Sequence, residues 1–204
     1  MIEKRIKTKV HVIPIPHTEG FNTTKETNQT CHKLWLPGIA TASKGLENIK
    51  KVVASNDPKA SSIQLLINEE AKYYFDDIAS PIVKMRYLPK VLSKNDYNKI
   101  MSSIDFVILP YDPVIYQNRT SGIFIEAIVA GKIPLIKDGS WMAYELLKFD
   151  LNELIINWDD TNLPTKIIAL KNNKRTIVKL KKMQLHYSRY HSTGNFAQVI
   201  KALI

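Results

Sequence analysis

The stretch YQNRTSGIFIEAIVAG (Tyr116 to Gly131) follows the apolar run DFVILPY (Asp105 to Tyr111). It joins a polar loop to a Ser-Gly pair and an apolar segment holding one acid, Glu126. Ser121 is a favoured N-cap, and its neighbours Thr120 and Gly122 leave the local amides unobstructed. A helix start exposes unpaired N–H groups and carries partial positive charge, so phosphate is welcome there. Glu126 lies four residues beyond Gly122, on the same helix face. A carboxylate repels phosphate but accepts hydrogen bonds from vicinal hydroxyls such as those of a ribose. The stretch therefore has the chemistry to hold the phosphates and sugar of a nucleotide. An ordinary N-cap followed by a surface Glu would produce the same pattern.

Two further loops carry related chemistry. LPGIATASKG (residues 36–45) places Gly38 at its start, small residues in its middle and Lys44-Gly45 at the mouth of the next helix. A lysine there can reach a diphosphate as a mobile point charge. The spacing is neither a P-loop nor the dinucleotide fingerprint of three glycines. YLPKVLSKND (residues 87–96) has no charge constellation. It can seat a base between its backbone and the side chains of Leu88 and Leu92, or serve as a plain turn and helix cap.

The elements that must position these loops follow from periodicity. Strands are expected over 32–38, 62–68, 82–88, 105–111, 133–137 and 153–157. Helices are expected over 44–55, 69–77, 93–104, from Ser121 and over 140–149. From Thr161 onward the chain reads as helical, with breaks near Asn172-Asn173 and Ser192–Gly194. Such alternation predicts an α/β domain, a doubly wound parallel sheet of Rossmann-like type. Ligands of such sheets bind outside the carboxyl ends of the strands, which brings the loops 37–44, 88–93, 111–121 and 137–140 to one edge.

The composition narrows the class. The chain has 204 residues and is 45% apolar, enough for one packed domain. No apolar run is of membrane-spanning length, and the basic N-terminus leads into no signal-peptide core, so a cytoplasmic protein is expected. Cys31 is the only cysteine, which excludes an internal disulfide. The five histidines lack metal-ligand spacing, and no metal is expected. Of the net charge of +10, nine units lie after Asp160, where there is no acid. A solvated helix face, an anionic membrane surface and nucleic acid are the three readings of that tail. Nucleic acid ranks last, for want of any recognition motif or interleaved aromatic residues.

The order Pro37-Gly38-x5-Lys44-Gly45, a Leu-Pro turn, DFVILPY, then Arg119-Thr120-Ser121-Gly122-x3-Glu126 and Gly131-Lys132-x-Pro134 resembles the C-terminal, nucleotide-sugar-binding domain of GT-B-fold glycosyltransferases of the group 1 type. The resemblance covers roughly residues 31–200. It implies transfer of a sugar from a nucleoside-diphosphate donor, retaining and metal-independent, with no cofactor. In the family's pattern Glu126 matches the acid that holds the ribose hydroxyls, and Lys44 the diphosphate-binding lysine. The family's first glutamate is replaced by Asn118, and its arginine after the first glycine by Ile39 and Ala40; Arg119 is the candidate to supply that charge. The resemblance thus points to Lys44 and Arg119 as catalytic, and to Gly38, Lys44, Leu88, Leu92, Asn118, Thr120, Ser121, Gly122 and Glu126 as the donor site. Gly139-Ser140 is a further candidate for the donor sugar. Residues 1–30 read as a remnant of an interdomain connection, and 31–204 as the domain with its basic C-terminal helices. The implied partners are a nucleotide sugar and an N-terminal acceptor domain or subunit; the basic tail adds an anionic membrane surface at which the protein would be peripheral. A non-catalytic nucleotide-sugar-binding module and a sugar-nucleotide epimerase of the same fold are the alternatives.

Overall fold

The computed structural model describes residues 11–17, 21, 31–78 and 81–203. Most of the expected connection over residues 1–30 lies outside that set. Five strands form one parallel sheet: β1 (His32–Trp35), β2 (Ile63–Asn68), β3 (Lys84–Leu88), β4 (Phe106–Leu109) and β5 (Ile133–Ile136), in the order β3-β2-β1-β4-β5. Every residue of β4 and β5 is buried, as continuous apolar runs in a parallel sheet covered on both faces must be. The chain steps outward from β1 to β3, then crosses back to β4 beside β1, where Leu34 and Trp35 pair with Phe106 and Val107. The strand order reverses there, so a crevice opens above the carboxyl ends of β1 and β4.

The helices follow their apolar spacing. α1 (Leu46–Val53) buries Leu46, Ile49, Val52 and Val53. α2 (Lys94–Ser103) is capped by Ser93, whose hydroxyl accepts from the Asp96 amide at 3.1 Å. A single turn, α3 (Pro113–Tyr116), precedes α4 (Gly122–Val129), and α5 (Trp141–Leu147) follows β5. The basic tail forms α6 (Leu163–Asn172), α7 (Lys174–Tyr190) and α8 (Thr193–Lys201), with its breaks capped by Asn173 and Ser192. α7 lies along α4, where the Gln184 amide donates to the Val129 carbonyl at 2.9 Å and the Tyr187 ring meets Phe124 edge-on. α8 contributes no buried residue.

Two expectations are corrected. Residues 153–157 do not form a strand. Asn152–Leu154 is a 3-10 turn, and only Ile155 bridges to Ile136. The amides of Leu154 and Ile155 are spent on the carbonyls of Leu151 and Asn152, so the first half of the apolar run is wound up before it can pair. The segment Glu69–Phe75 is a 3-10 helix rather than an α-helix, started by Asn68, whose side chain accepts from the Glu70 amide.

Candidate functional site

The loop after β1 is shaped by two left-handed glycines. Gly38 has φ +74°, and a side chain there would point at the Lys44 ammonium, 3.1 Å from its Cβ position. Gly45 has φ +77°, and its Cβ would lie 2.0 Å from the Pro110 carbonyl oxygen at the end of β4. Only glycine permits that approach. The two loops are also tied directly, the Asp112 amide donating to the Ser43 carbonyl at 2.9 Å. Lys44, on the 3-10 turn Ala42–Lys44, is thereby fixed beside the segment that leads to α4. Burial lowers the Lys44 pKa, and no carboxylate among the described residues pairs with it. Its charge is desolvated without compensation, a state that an incoming anion would relieve.

At the start of α4 the Ser121 side chain is buried and accepts from the Phe124 amide at 3.2 Å. The amides of Gly122 and Ile123 belong to the first turn of α4, whose N–H groups have no acceptor within the helix. A Cβ on Gly122 would meet nothing within 4 Å, so its openness is not demanded by packing. Asn118, Arg119 and Thr120 are exposed on the approach to the helix. Arg119 forms no salt bridge among the described residues.

Glu126 is half-buried, and its Oε2 accepts a 2.5 Å hydrogen bond from the Tyr97 hydroxyl. Tyr97 comes from the first turn of α2, and its ring meets Trp35, the last residue of β1, edge-on at 5.1 Å. Burial, reinforced by the Glu126 carboxylate, pushes the Tyr97 pKa well above its ordinary value, so the phenol stays protonated and donates. No motif in the sequence singles out Tyr97 for this role. Its position one turn into a helix that leaves the carboxyl edge was the available signal.

The remaining candidates are distributed differently. Leu88 is 5% exposed and belongs to the core, so of the two expected walls only the partly buried Leu92 is left to the loop above it, beside the exposed Pro89, Lys90 and Val91. The Ser140 hydroxyl is buried and fully used, accepting from the Ala143 amide and donating to the Lys137 carbonyl. Gly139 packs against Pro113, which places the loop after β5 beside α3. That loop also borders a cleft of about 470 Å³ on the α1 face, lined in part by Asn48, Lys137, Asp138 and Trp158. Among the described residues no group of three or more His, Cys, Asp or Glu side chains is placed to hold a metal ion.

Neither a protein-family model nor a curated protein sequence matches the chain. Solved structures do. The C-terminal domain of a group 1 glycosyltransferase (LpcC) from Francisella tularensis superposes with a TM-score of 0.55 at 8% identity, covering 86% of each chain. The chain has the fold of a glycosyltransferase C-terminal domain. This GT-B half recurs in S. aureus TarM, in complex with fondaparinux, α-GlcNAc-glycerol and UDP, at a TM-score of 0.70 and 13% identity. That match covers 99% of the present chain and 41% of TarM, so the chain spans about two-fifths of that relative's length. The catalytic domain of the Helicobacter pylori cholesterol-α-glucosyltransferase matches at 0.59 and 17% identity, over 78% of this chain and 98% of that one. In such a glycosyltransferase half the switch point lies between β1 and β4, where Gly38, Lys44 and the start of α4 converge.

Proposed function

We propose that the chain is the donor-binding half of a glycosyltransferase, which moves a sugar from a nucleoside-diphosphate sugar to an acceptor. The observation that carries this reading is Lys44: a half-buried ammonium without a carboxylate partner, set over a left-handed glycine and tied to the loop that opens α4. In the reaction the bond between the anomeric carbon and the diphosphate oxygen breaks, and the oxygen leaves with the electron pair. The acceptor oxygen bonds to the anomeric carbon and passes its proton to the leaving diphosphate oxygen. Lys44, Arg119 and the amides of Gly122 and Ile123 would stabilise the leaving diphosphate. Glu126, held by Tyr97, would accept the ribose hydroxyls, and Asn118 would touch the donor sugar. Retention of configuration and independence of a metal belong to the same proposal.

An acceptor-bearing domain or subunit completes this reading. Ile39, Tyr73, Val91 and Val114 are exposed apolar residues in the segments that follow β1, β2, β3 and β4, Tyr73 on the 3-10 helix Glu69–Phe75 and Val114 on α3. All four rim the carboxyl edge, which suits a second body seated across the crevice.

The test is a thermal-shift panel with UDP, GDP, ADP, CDP and dTDP on the wild type and on Lys44→Met. A ligand at one hundred times its dissociation constant adds about 2.7 kcal/mol to stability. One diphosphate should raise the melting temperature, and Lys44→Met should abolish the rise. No shift from any nucleotide would refute a working donor site. Asn118, and the absence of arginine beside Gly38, favour a second reading, a nucleotide-sugar-binding module without turnover. Binding without activity after an acceptor domain is supplied would establish it.

A further inference from the structure

The basic tail is sorted by its partners. Lys166, Lys171 and Lys179 are paired with Asp160, Asp105 and Glu153. Lys174, Arg175, Lys181, Lys182 and Arg189, all on α7, form no salt bridge among the described residues. α7 has 17 residues and buries Thr176, Leu180, Met183 and Tyr187. At about 100° per residue these four define the inward meridian, and the five cations without a salt bridge fall within about 70° of the opposite one. Two aliphatic side chains share that outer face, Val178 at 67% exposed and Leu185 at 63%. They lie seven residues apart, two turns along the same line. The face carries no acid, and an open cleft of about 480 Å³ between Lys182, Arg189 and Asn195 indents it.

We propose that the outer face of α7 docks the protein on an anionic lipid bilayer. The helix would lie parallel to the surface, with its cations among the lipid phosphates and Val178 and Leu185 entering the interface between them. Exposed aliphatic residues within a cationic stripe suit a bilayer, which offers negative charge and apolar depth side by side. A nucleic-acid backbone offers the charge alone, and α7 has no exposed aromatic series for bases to stack on. Among the described residues no helix is long and apolar enough to cross a membrane, so attachment by this face would be peripheral. The proposal does not depend on the donor site, which lies at the carboxyl edge of the sheet.

The experiment is flotation of the full chain with vesicles of phosphatidylcholine alone, or with about one-third phosphatidylserine, at low and near-physiological salt. Binding to the anionic vesicles should exceed binding to neutral ones at least about tenfold. Lys181→Glu with Lys182→Glu should remove it, and Val178→Ser with Leu185→Ser should remove the part that survives near-physiological salt. All four residues are exposed, so the melting temperature should not move. Lys94→Glu with Lys99→Glu on α2 makes the same change of charge elsewhere and should leave binding intact. Equal loss from that control, equal binding to both vesicles, or binding untouched by the serine pair would overturn the proposal. So would a duplex oligonucleotide bound more tightly than the anionic vesicles, which would assign the face to nucleic acid.

Discussion

The Tyr97 hydroxyl donates to Glu126 across a 2.5 Å hydrogen bond, joining the first turn of α2 to the second turn of α4. The bond fixes the only carboxylate of α4 at the switch point of the sheet. It also makes the proposed donor-side role of Glu126 separable from its contribution to stability.

Tyr97→Phe keeps the ring against Trp35 and removes only the donor. Hydrogen bonds to charged groups are worth about 1.5–3 kcal/mol, and partial exposure places this one near the low end. Urea unfolding should show a loss of about 1–2 kcal/mol, with nucleotide affinity reduced a few-fold because Glu126 is less well oriented. Glu126→Ala should lower affinity by more than Tyr97→Phe does. Calorimetric titration with the nucleotide that stabilises the wild type measures both. Equal affinities in all three proteins would remove Glu126 from the site.

The glycines divide the site into scaffold and contact surface. Gly45→Ala meets the Pro110 carbonyl at 2.0 Å in a left-handed conformation. Strain of about 1–3 kcal/mol is expected from the backbone alone, before the clash is relieved. The melting temperature should fall steeply, and the loops after β1 and β4 should separate. Gly122→Ala meets nothing, so its stability should match or slightly exceed the wild type, because alanine is the better helix former. Its nucleotide affinity should nevertheless drop, since the added methyl group occupies the open ground above the amides. Unchanged affinity in Gly122→Ala would place the ligand elsewhere.

The parts legible in the sequence were those governed by local rules. The runs at 32–38, 105–111 and 133–137 contain β1, β4 and β5 because they are short, apolar and bounded by turns. Ser93 and Ser121 cap helices because their hydroxyls reach amides three residues on. The same local rules misread 153–157, where i-to-i+3 bonds consumed the amides a strand needs, and Leu88, whose apolar side chain serves the core below the loop. The bond between Tyr97 and Glu126 spans 29 residues, and the seat of Gly45 on Pro110 spans 65 by number; neither has a local signal. Lys44 could be picked out as a cation near a helix start, whereas its lack of a carboxylate partner required the tertiary structure.

Protonation of two histidines should weaken the fold in mild acid. Burial lowers the His191 pKa, and its Nδ1 lies 2.9 Å from the Ile15 carbonyl, helping to clamp residues 11–17. Burial, with Lys171 adding to it, also lowers the His32 pKa at the start of β1. In both cases the unfolded chain takes up its proton first, near the ordinary value of about 6.5. The contribution of each to stability is therefore complete above that value and is lost as pH falls from it through the depressed folded value. The urea midpoint should decline between about pH 7 and pH 5, before carboxylates titrate. His191→Gln together with His32→Gln should flatten that decline. A wild-type midpoint independent of pH over this range would contradict the assignment.

Asp57 provides a test of fold without site. The residue is 7% exposed, and its carboxylate accepts from the Lys59 amide at 2.8 Å and from the Thr165 amide and hydroxyl at 2.9 Å each. One carboxylate thus starts the 3-10 turn before β2 and anchors α6, 108 residues away. Burial by itself would raise its pKa, but the hydrogen bonds from Lys59 and Thr165 outweigh it and hold the value below 3.8. Its contribution is present above that ordinary value and is lost as pH falls through the depressed one. Asp57→Ala leaves three donors unmet and should cost about 2–4 kcal/mol at neutral pH, read as a shift of the urea midpoint. Because Asp57 sits away from the carboxyl edge, the folded fraction should bind nucleotide with wild-type affinity. Affinity lost in step with stability would mean that α6 and the crevice are coupled, a link the observed contacts do not require.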